Sequence, residues 1–343
     1  MPGGENMKKE KLNQKLNIAI LIVITMVVLF FSLKDDFDAV IEQILTANPF
    51  WLFVSFFLMA SYFFLRSIDF FKLIQRVVPE YTLKKSIKLT ITTQFFNAVT
   101  PFATGGQPFQ VYMLKKNGVR IPEATNIIIQ NFILYQIALV ILGCVALIAN
   151  YFCHFYKEIE ILKNLVTIGF IMNFLVIVGL FVISFGRKIN RKLLHFVIHI
   201  LTKLRLIKDS EAKKKQWESY FNRFHKGAKV LISDKKYFIS AVGRNILALI
   251  CLYLVPLTVI YSMGDYTSIN GIETIITSAY VMLIGSFVPI PGGTGGLEYG
   301  YVAFFGNFLG GSTLKASMLI WRFFTYYLGM FAGAITLNMK GKK

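Results

Sequence analysis

The residues best placed for chemistry fall in one short pattern, Pro-x-x-Thr-Gly-Gly. It occurs at Pro101–Gly106 and again at Pro291–Gly296, each time where a long apolar stretch is broken. The chemistry it supports is capture of an anion by backbone N–H groups. Pro101 and Pro291 end an incoming helix, because proline lacks a donor and clashes with the preceding turn. Gly105, Gly106, Gly295 and Gly296 permit a tight reversal, and Thr104 and Thr294 complete the pattern. A helix restarting there, with Pro108 tolerated in its first turn, turns free N–H groups and the positive end of its dipole toward the break. Irregular backbone at membrane depth survives only where protein buries it or a cavity wets it. Paired breaks in corresponding places point to the binding site of a transporter. The plainer reading of the glycine pairs is close helix packing.

Ionisable residues inside apolar segments extend the candidate set. Arg322 lies in a run from 314 to 338, roughly 12 Å from its start at about 1.5 Å per residue. Glu298, just beyond the second pattern, is at comparable depth and is its natural partner. Arg244 is similarly deep, whereas Arg66 lies near a helix end, where it can snorkel with Asp69 as its i,i+3 mate. Asn126, Gln130, Asn131 and Gln136 share a third apolar run and face a bundle interior, where interhelical hydrogen bonding is their simplest role.

No catalytic centre is legible. The chain has no nucleophile with a base and orienting group at recognisable spacing, no P-loop and no metal cluster. His195 and His199 stand i,i+4 apart without a Glu, Cys or third ligand, so neither metal nor cofactor is expected. Cys144, Cys153 and Cys251 form no CxxC pair and read as free thiols.

The elements that position these residues are set by composition. With 55% hydrophobic and 16% charged residues in 343, the chain reads as an integral membrane protein. Its net charge of +19 clusters beside apolar runs, which favours membrane orientation and anionic headgroups over direct nucleic-acid binding. Runs approaching or exceeding the roughly 20 residues needed to span occupy 16–33, 50–68, 124–150, 164–185, 237–262 and 314–338. Two further segments, 86–117 and 271–310, hold the repeated pattern and are too polar or too glycine-rich in their middles to be ordinary spans. The expected fold is an all-α integral membrane protein of six full transmembrane helices plus two opposed re-entrant hairpins, an inverted repeat within one domain over 1–343.

Charge placement tests that topology. The first run follows Lys8, Lys9, Lys11 and Lys15 and lacks a small-x-small cleavage site, so it is expected to persist as an anchor with the N-terminus in the cytoplasm. Asp35, Asp36, Asp38 and Glu42 then fall outside, and Lys72, Arg76, Lys84, Lys85 and Lys88 inside. A full crossing at 86–117 would strand Lys115, Lys116 and Arg120 outside; folding back at Gly105 and Gly106 returns them. The stretch 186–236, with 15 Lys and Arg, is cytosolic and begins with an interfacial amphipathic helix at 187–206. The second hairpin enters from the outside, and Lys340, Lys342 and Lys343 return to the cytoplasm. The two patterns therefore point at each other, in what is expected to be a multi-pass membrane protein.

The longer strings around the patterns carry a resemblance. Asn97-Ala-Val-Thr-Pro-Phe-Ala-Thr-Gly-Gly-Gln-Pro-Phe-Gln-Val-Tyr112, Pro291-Gly-Gly-Thr-Gly-Gly-Leu-Glu298 and the pair Trp321-Arg322 resemble the transmembrane, flippase-like domain of the lysylphosphatidylglycerol synthase family, also called the multiple peptide resistance factor family. The resemblance covers nearly the whole chain and implies a place in the bacterial plasma membrane. It implies movement of aminoacylated phosphatidylglycerol to the outer leaflet, which weakens attraction of cationic antimicrobial peptides. By motif position it implies roles for Thr100, Pro101, Gly105, Gly106, Gln107, Pro291, Gly292, Gly293, Gly295, Glu298 and Arg322. Many relatives have an acidic residue where Gln107 stands, so a role requiring charge does not carry over there.

Full-length members continue into a cytosolic domain that transfers lysine from lysyl-tRNA; this sequence ends at Lys343, and that chemistry is not expected of it. The expected partners are a phospholipid with an anionic headgroup phosphate, the membrane, a separate aminoacyl-lipid synthetase and a second copy in a homo-oligomer. Three activities fit: translocation of phosphatidylglycerol or its lysyl derivative, phosphatidylglycerol lysyltransfer as an enzyme or its membrane subunit, and transport of a small polar or anionic solute.

Overall fold

The computed structural model describes residues 37–153, 160–186, 234–286 and 288–339, with isolated positions between 187 and 233. The expected span at 16–33, the amphipathic helix at 187–206 with His195 and His199, and most of the basic stretch 186–236 lie outside the described residues. No strand occurs among the described residues.

Local chemistry explains where the helices begin. After α1 (Phe37–Leu45), α2 (Pro49–Gln75) starts with proline at its first position and Asn48 accepting from the Phe50 N–H at 2.9 Å. Thr82 caps α3 (Leu83–Ala98), and α4 (Gly106–Lys116) follows the first break. Two long helices come next, α5 (Ile121–Cys153) and α6 (Glu160–Phe185). Asp234 caps α7 (Lys235–Tyr253), which α8 (Val255–Ser262) continues after an interruption at Leu254, just before Pro256. A capping box of Asn270 and Glu273 opens α9 (Gly271–Gly285). Beyond the second break lie α10 (Gly296–Phe305) and α11 (Gly311–Arg322), then a π-helical turn at Phe323–Tyr327 and α12 (Leu328–Asn338).

Five stretches are long and apolar enough to cross a membrane: Pro49–Gln75, Ile121–Cys153, Leu162–Phe185, Lys235–Ser262 and Gly311–Asn338. They coincide with the five expected runs that lie within the described residues, and the chain is a multi-pass membrane protein. The shortest, at 24 residues, reaches about 36 Å, against a hydrocarbon thickness of about 30 Å. Phe53 and Phe57 on α2 and Ile171, Phe174 and Leu175 on α6 are exposed, a surface that suits lipid. The core lies inside, where Leu139, Leu249, Tyr253, Val259 and Ile284 share one buried cluster.

Each remaining segment is a pair of shorter helices that turns back on itself. The rings of Tyr280 and Phe304 are 5.3 Å apart, and a Cβ on Gly300 would lie 3.6 Å from Val281 Cα, so α10 retraces α9. Phe96 and Phe109 stack at 4.1 Å, so α4 folds back beside α3. The last helix secures the first pair. Gly333 abuts backbone atoms of Ile91 and Phe95, while Gly329, four residues earlier, abuts Phe63 and Gln94; this Gly-x-x-x-Gly face lets α12 lie against α3. Thr336 and Thr92 hydroxyls meet at 3.0 Å, and Lys88 Nζ donates to the Met339 carbonyl at 2.7 Å.

Candidate functional site

The two breaks fold alike. Thr100 and Ile290 are extended, as residues before proline are driven to be. Pro101 and Pro291 each begin a 3₁₀ turn, at Pro101–Ala103 and Pro291–Gly293. The next two residues are left-handed in both, Phe102 and Ala103 at φ +53° and Gly292 and Gly293 at +69° and +63°. Thr104 and Thr294 then donate their hydroxyls to the Pro101 and Pro291 carbonyls, each at 2.9 Å. The two turns pack against each other.

This geometry corrects two expectations. The prolines do not themselves end the incoming helices, because α3 already stops at Ala98 and α9 at Gly285. Nor do Gly105 and Gly106 make the first reversal: Gly105 is right-handed and Gly106 begins α4. They are small for lack of room, since a Cβ on Gly105 would come 2.9 Å from the Phe96 carbonyl and one on Gly106 would collide with Asn97 Oδ1. The positive φ falls instead on Phe102 and Ala103, a strained conformation for residues with a Cβ. In the second tip Gly295, at φ +87°, does require glycine.

Arg322 and Glu298 hold the second tip. Arg322 Nε lies 2.7 Å from Glu298 Oε1 as an ion pair whose alignment falls short of a hydrogen bond. Its Nη2 donates to the Gly292 carbonyl at 3.1 Å and to Thr294 Oγ1 at 3.4 Å. Glu298 Oε2 accepts from the Gly295 N–H at 2.7 Å, occupying the positive end of α10. At the first tip Thr100 Oγ1 accepts from the Gly105 N–H at 2.8 Å, and Gln107, which supplies no charge, has a buried Oε1 with no partner.

A cavity of about 820 Å³ is walled in part by residues of both tips. Thr104, Gly292, Gly293 and Arg322 are on its wall, together with Tyr135, Gln136 and Tyr326. Its volume falls in the range that accepts small ligands. Tyr326, which sequence reasoning missed, joins the tips: its hydroxyl donates to the Ala98 carbonyl at 3.0 Å, its ring lies against Gly292, and the Arg322 guanidinium sits 4.7 Å from the ring centroid. The readable signal was its position one turn past Arg322.

Arg66 and Arg244 form a separate group. Arg244 Nε pairs with Asp69 Oδ1 at 2.6 Å, and Asn245 donates to Asp69 Oδ2 at 2.7 Å. Arg66 donates to Asn245 Oδ1 and lies 4.5 Å from the Tyr135 ring centroid. The expected i,i+3 pairing of Arg66 with Asp69 is therefore corrected: α7 packs on α2 and supplies Arg244 and Asn245 as the carboxylate's partners. Asn126, Gln130, Asn131 and Gln136 are buried, and Gln130 Nε2 donates to Asn126 Oδ1. Among the described residues no three His, Cys, Asp or Glu side chains converge as metal ligands.

Comparison with known proteins agrees with this architecture. The chain is 24% identical over 336 residues to a UPF0104 membrane protein of Archaeoglobus fulgidus, covering 94% of this chain and 95% of that one. A family profile described as the lysylphosphatidylglycerol synthase TM region matches residues 17–333. A multi-pass helical chain matched over almost its full length in this way belongs to the lysylphosphatidylglycerol synthase transmembrane-region family.

Proposed function

We propose that this protein moves phospholipid between the leaflets of a bacterial plasma membrane, with phosphatidylglycerol or its lysyl derivative as cargo. The observation that carries the reading is the 820 Å³ cavity walled by both tips and by Arg322. In this reading the headgroup phosphate lies near Arg322 while the acyl chains stay in lipid. The fold-back pairs α3–α4 and α9–α10 act as re-entrant hairpins from opposite faces, an inverted repeat supported by the matching turns at Pro101 and Pro291. Both termini are cytoplasmic by the placement of lysines. If the cargo is the lysyl derivative, its delivery outward lowers surface negative charge and weakens the attraction of cationic antimicrobial peptides; phosphatidylglycerol itself has no such effect.

The family description favours a second reading, in which the chain is the membrane subunit of phosphatidylglycerol lysyltransfer and works beside a separate synthetase. The test is transbilayer exchange of a fluorescent phosphatidylglycerol in proteoliposomes, with outer-leaflet probe quenched chemically. Exchange well above that of empty vesicles, lowered by Arg322→Ala and by Glu298→Gln, is expected. Equal rates in empty and protein-containing vesicles would sink translocation. Activity with lysyl-tRNA would choose the enzyme, and solute uptake without lipid exchange would choose a small-solute transporter.

A further inference from the structure

Arg322 carries the one formal charge among the described residues that wall the cavity. The Glu298 carboxylate beside it is already committed, one oxygen to Arg322 and the other to the Gly295 N–H. A second cation stands behind the wall: Arg66 lies 4.5 Å from the ring centroid of Tyr135, and Tyr135 faces the cavity. The group hydrogen-bonded to Arg66 is the neutral amide of Asn245, while Asp69 is taken by Arg244 and Asn245. Three arginines against the carboxylates of Asp69 and Glu298 leave the surroundings of the cavity one positive charge in excess. In a poorly screened interior such a field favours an anion, and it penalises a cation that finds no carboxylate to pair with.

Resting on the translocation reading, we propose that the cavity selects headgroups by charge: it admits a phosphodiester headgroup that carries no ammonium and rejects one that bears a lysyl group. A lysyl ester adds two ammonium groups. Gln136 and Thr104 can hydrogen-bond a headgroup hydroxyl, but neither neutralises an ammonium. Discrimination here comes from the penalty against the wrong headgroup as much as from attraction of the right one.

The full chain is reconstituted in phosphatidylcholine vesicles holding a trace of fluorescent phosphatidylglycerol or of its lysylated derivative with the same acyl chains, and exchange is read by chemical quenching. In parallel the same two lipids compete for the detergent-solubilised protein, read by native mass spectrometry. The expected result is a preference for phosphatidylglycerol of about tenfold or more in both readouts. Gln136→Glu, which puts a carboxylate on the wall, shrinks that preference to about threefold or less, and Thr104→Glu does the same from the first tip. Equal handling of the two lipids, or preference for the lysylated one, overturns charge selection. Retention of phosphatidylglycerol over its derivative without exchange upholds charge selection and removes translocation; retention of neither, with exchange of neither, overturns both.

Discussion

The Tyr326 hydroxyl donates to the Ala98 carbonyl at 3.0 Å, at the end of the helix that leads into the first tip. The same side chain packs its ring against Gly292 of the second tip, so one residue of the last span reports the separation of the two breaks. Tyr326→Phe keeps the ring and deletes the bond. The loss expected is about 1 kcal/mol, read as a lower Tm in detergent, whereas Tyr326→Ala loses more because the Gly292 contact goes as well. Equal losses would mean that the ring contact with Gly292 contributes nothing to the linkage.

Gly292 and Gly295 are both left-handed, but their surroundings differ. A Cβ on Gly292 meets the Tyr326 ring, while one on Gly295 meets nothing within 4 Å. Gly295→Ala is expected to cost about 1–2 kcal/mol from backbone strain alone, and Gly292→Ala clearly more. In a Tyr326→Ala background the gap between the two substitutions narrows. Thermal unfolding of the four variants measures it, and an unchanged gap rejects the steric account.

The Arg322–Glu298 pair is buried, so its members are expected to be worth more together than singly. Arg322→Ala leaves an unpaired carboxylate and costs about 3–5 kcal/mol. The double variant Arg322→Met with Glu298→Gln recovers a substantial part of that, and a double-mutant cycle reads the coupling. Additive losses would mean that the two side chains act independently.

Gly333→Ala is expected to be among the most damaging single methyl additions outside the tips, because its Cβ would come 2.7 Å from the Phe95 nitrogen and 2.8 Å from the Ile91 oxygen, both backbone atoms. Gly179, within α6 and with nothing inside 4 Å, is the control; there alanine is neutral or stabilising by up to about 1 kcal/mol. Comparable yields and Tm for the two variants would reject close α3–α12 packing.

The spans were readable because long apolar runs have few alternatives in a chain this hydrophobic. The presence of a break at Pro101 and at Pro291 was readable because proline cannot continue a helix, although the residues that end the helices and make the first reversal were not. Glu298 and Arg322 stood out as charges at depth. Arg66 did not declare its partner, because i,i+3 spacing names Asp69 while the register of α7 on α2, a tertiary fact, brings Asn245 closer. The positive φ at Phe102 and Ala103 was hidden for a related reason: adjacent glycines drew the reversal to themselves, although their true constraint is space beside Phe96 and Asn97. The Gly329–Gly333 spacing was present in the sequence but inconspicuous among 25 glycines.

The π turn at Phe323–Tyr327 has a consequence for comparing this chain with others. A π turn widens the helix by about one residue per turn, and one residue is about 100° of rotation in an α-helix. Arg322 therefore aims at the second tip while Gly329 and Gly333 aim at α3, two directions that a uniform helix of this sequence would not reconcile. A relative whose last span is a regular helix needs a one-residue gap within 323–327 to align correctly; placed without it, that relative's arginine and its packing glycines cannot both fall opposite those of this chain.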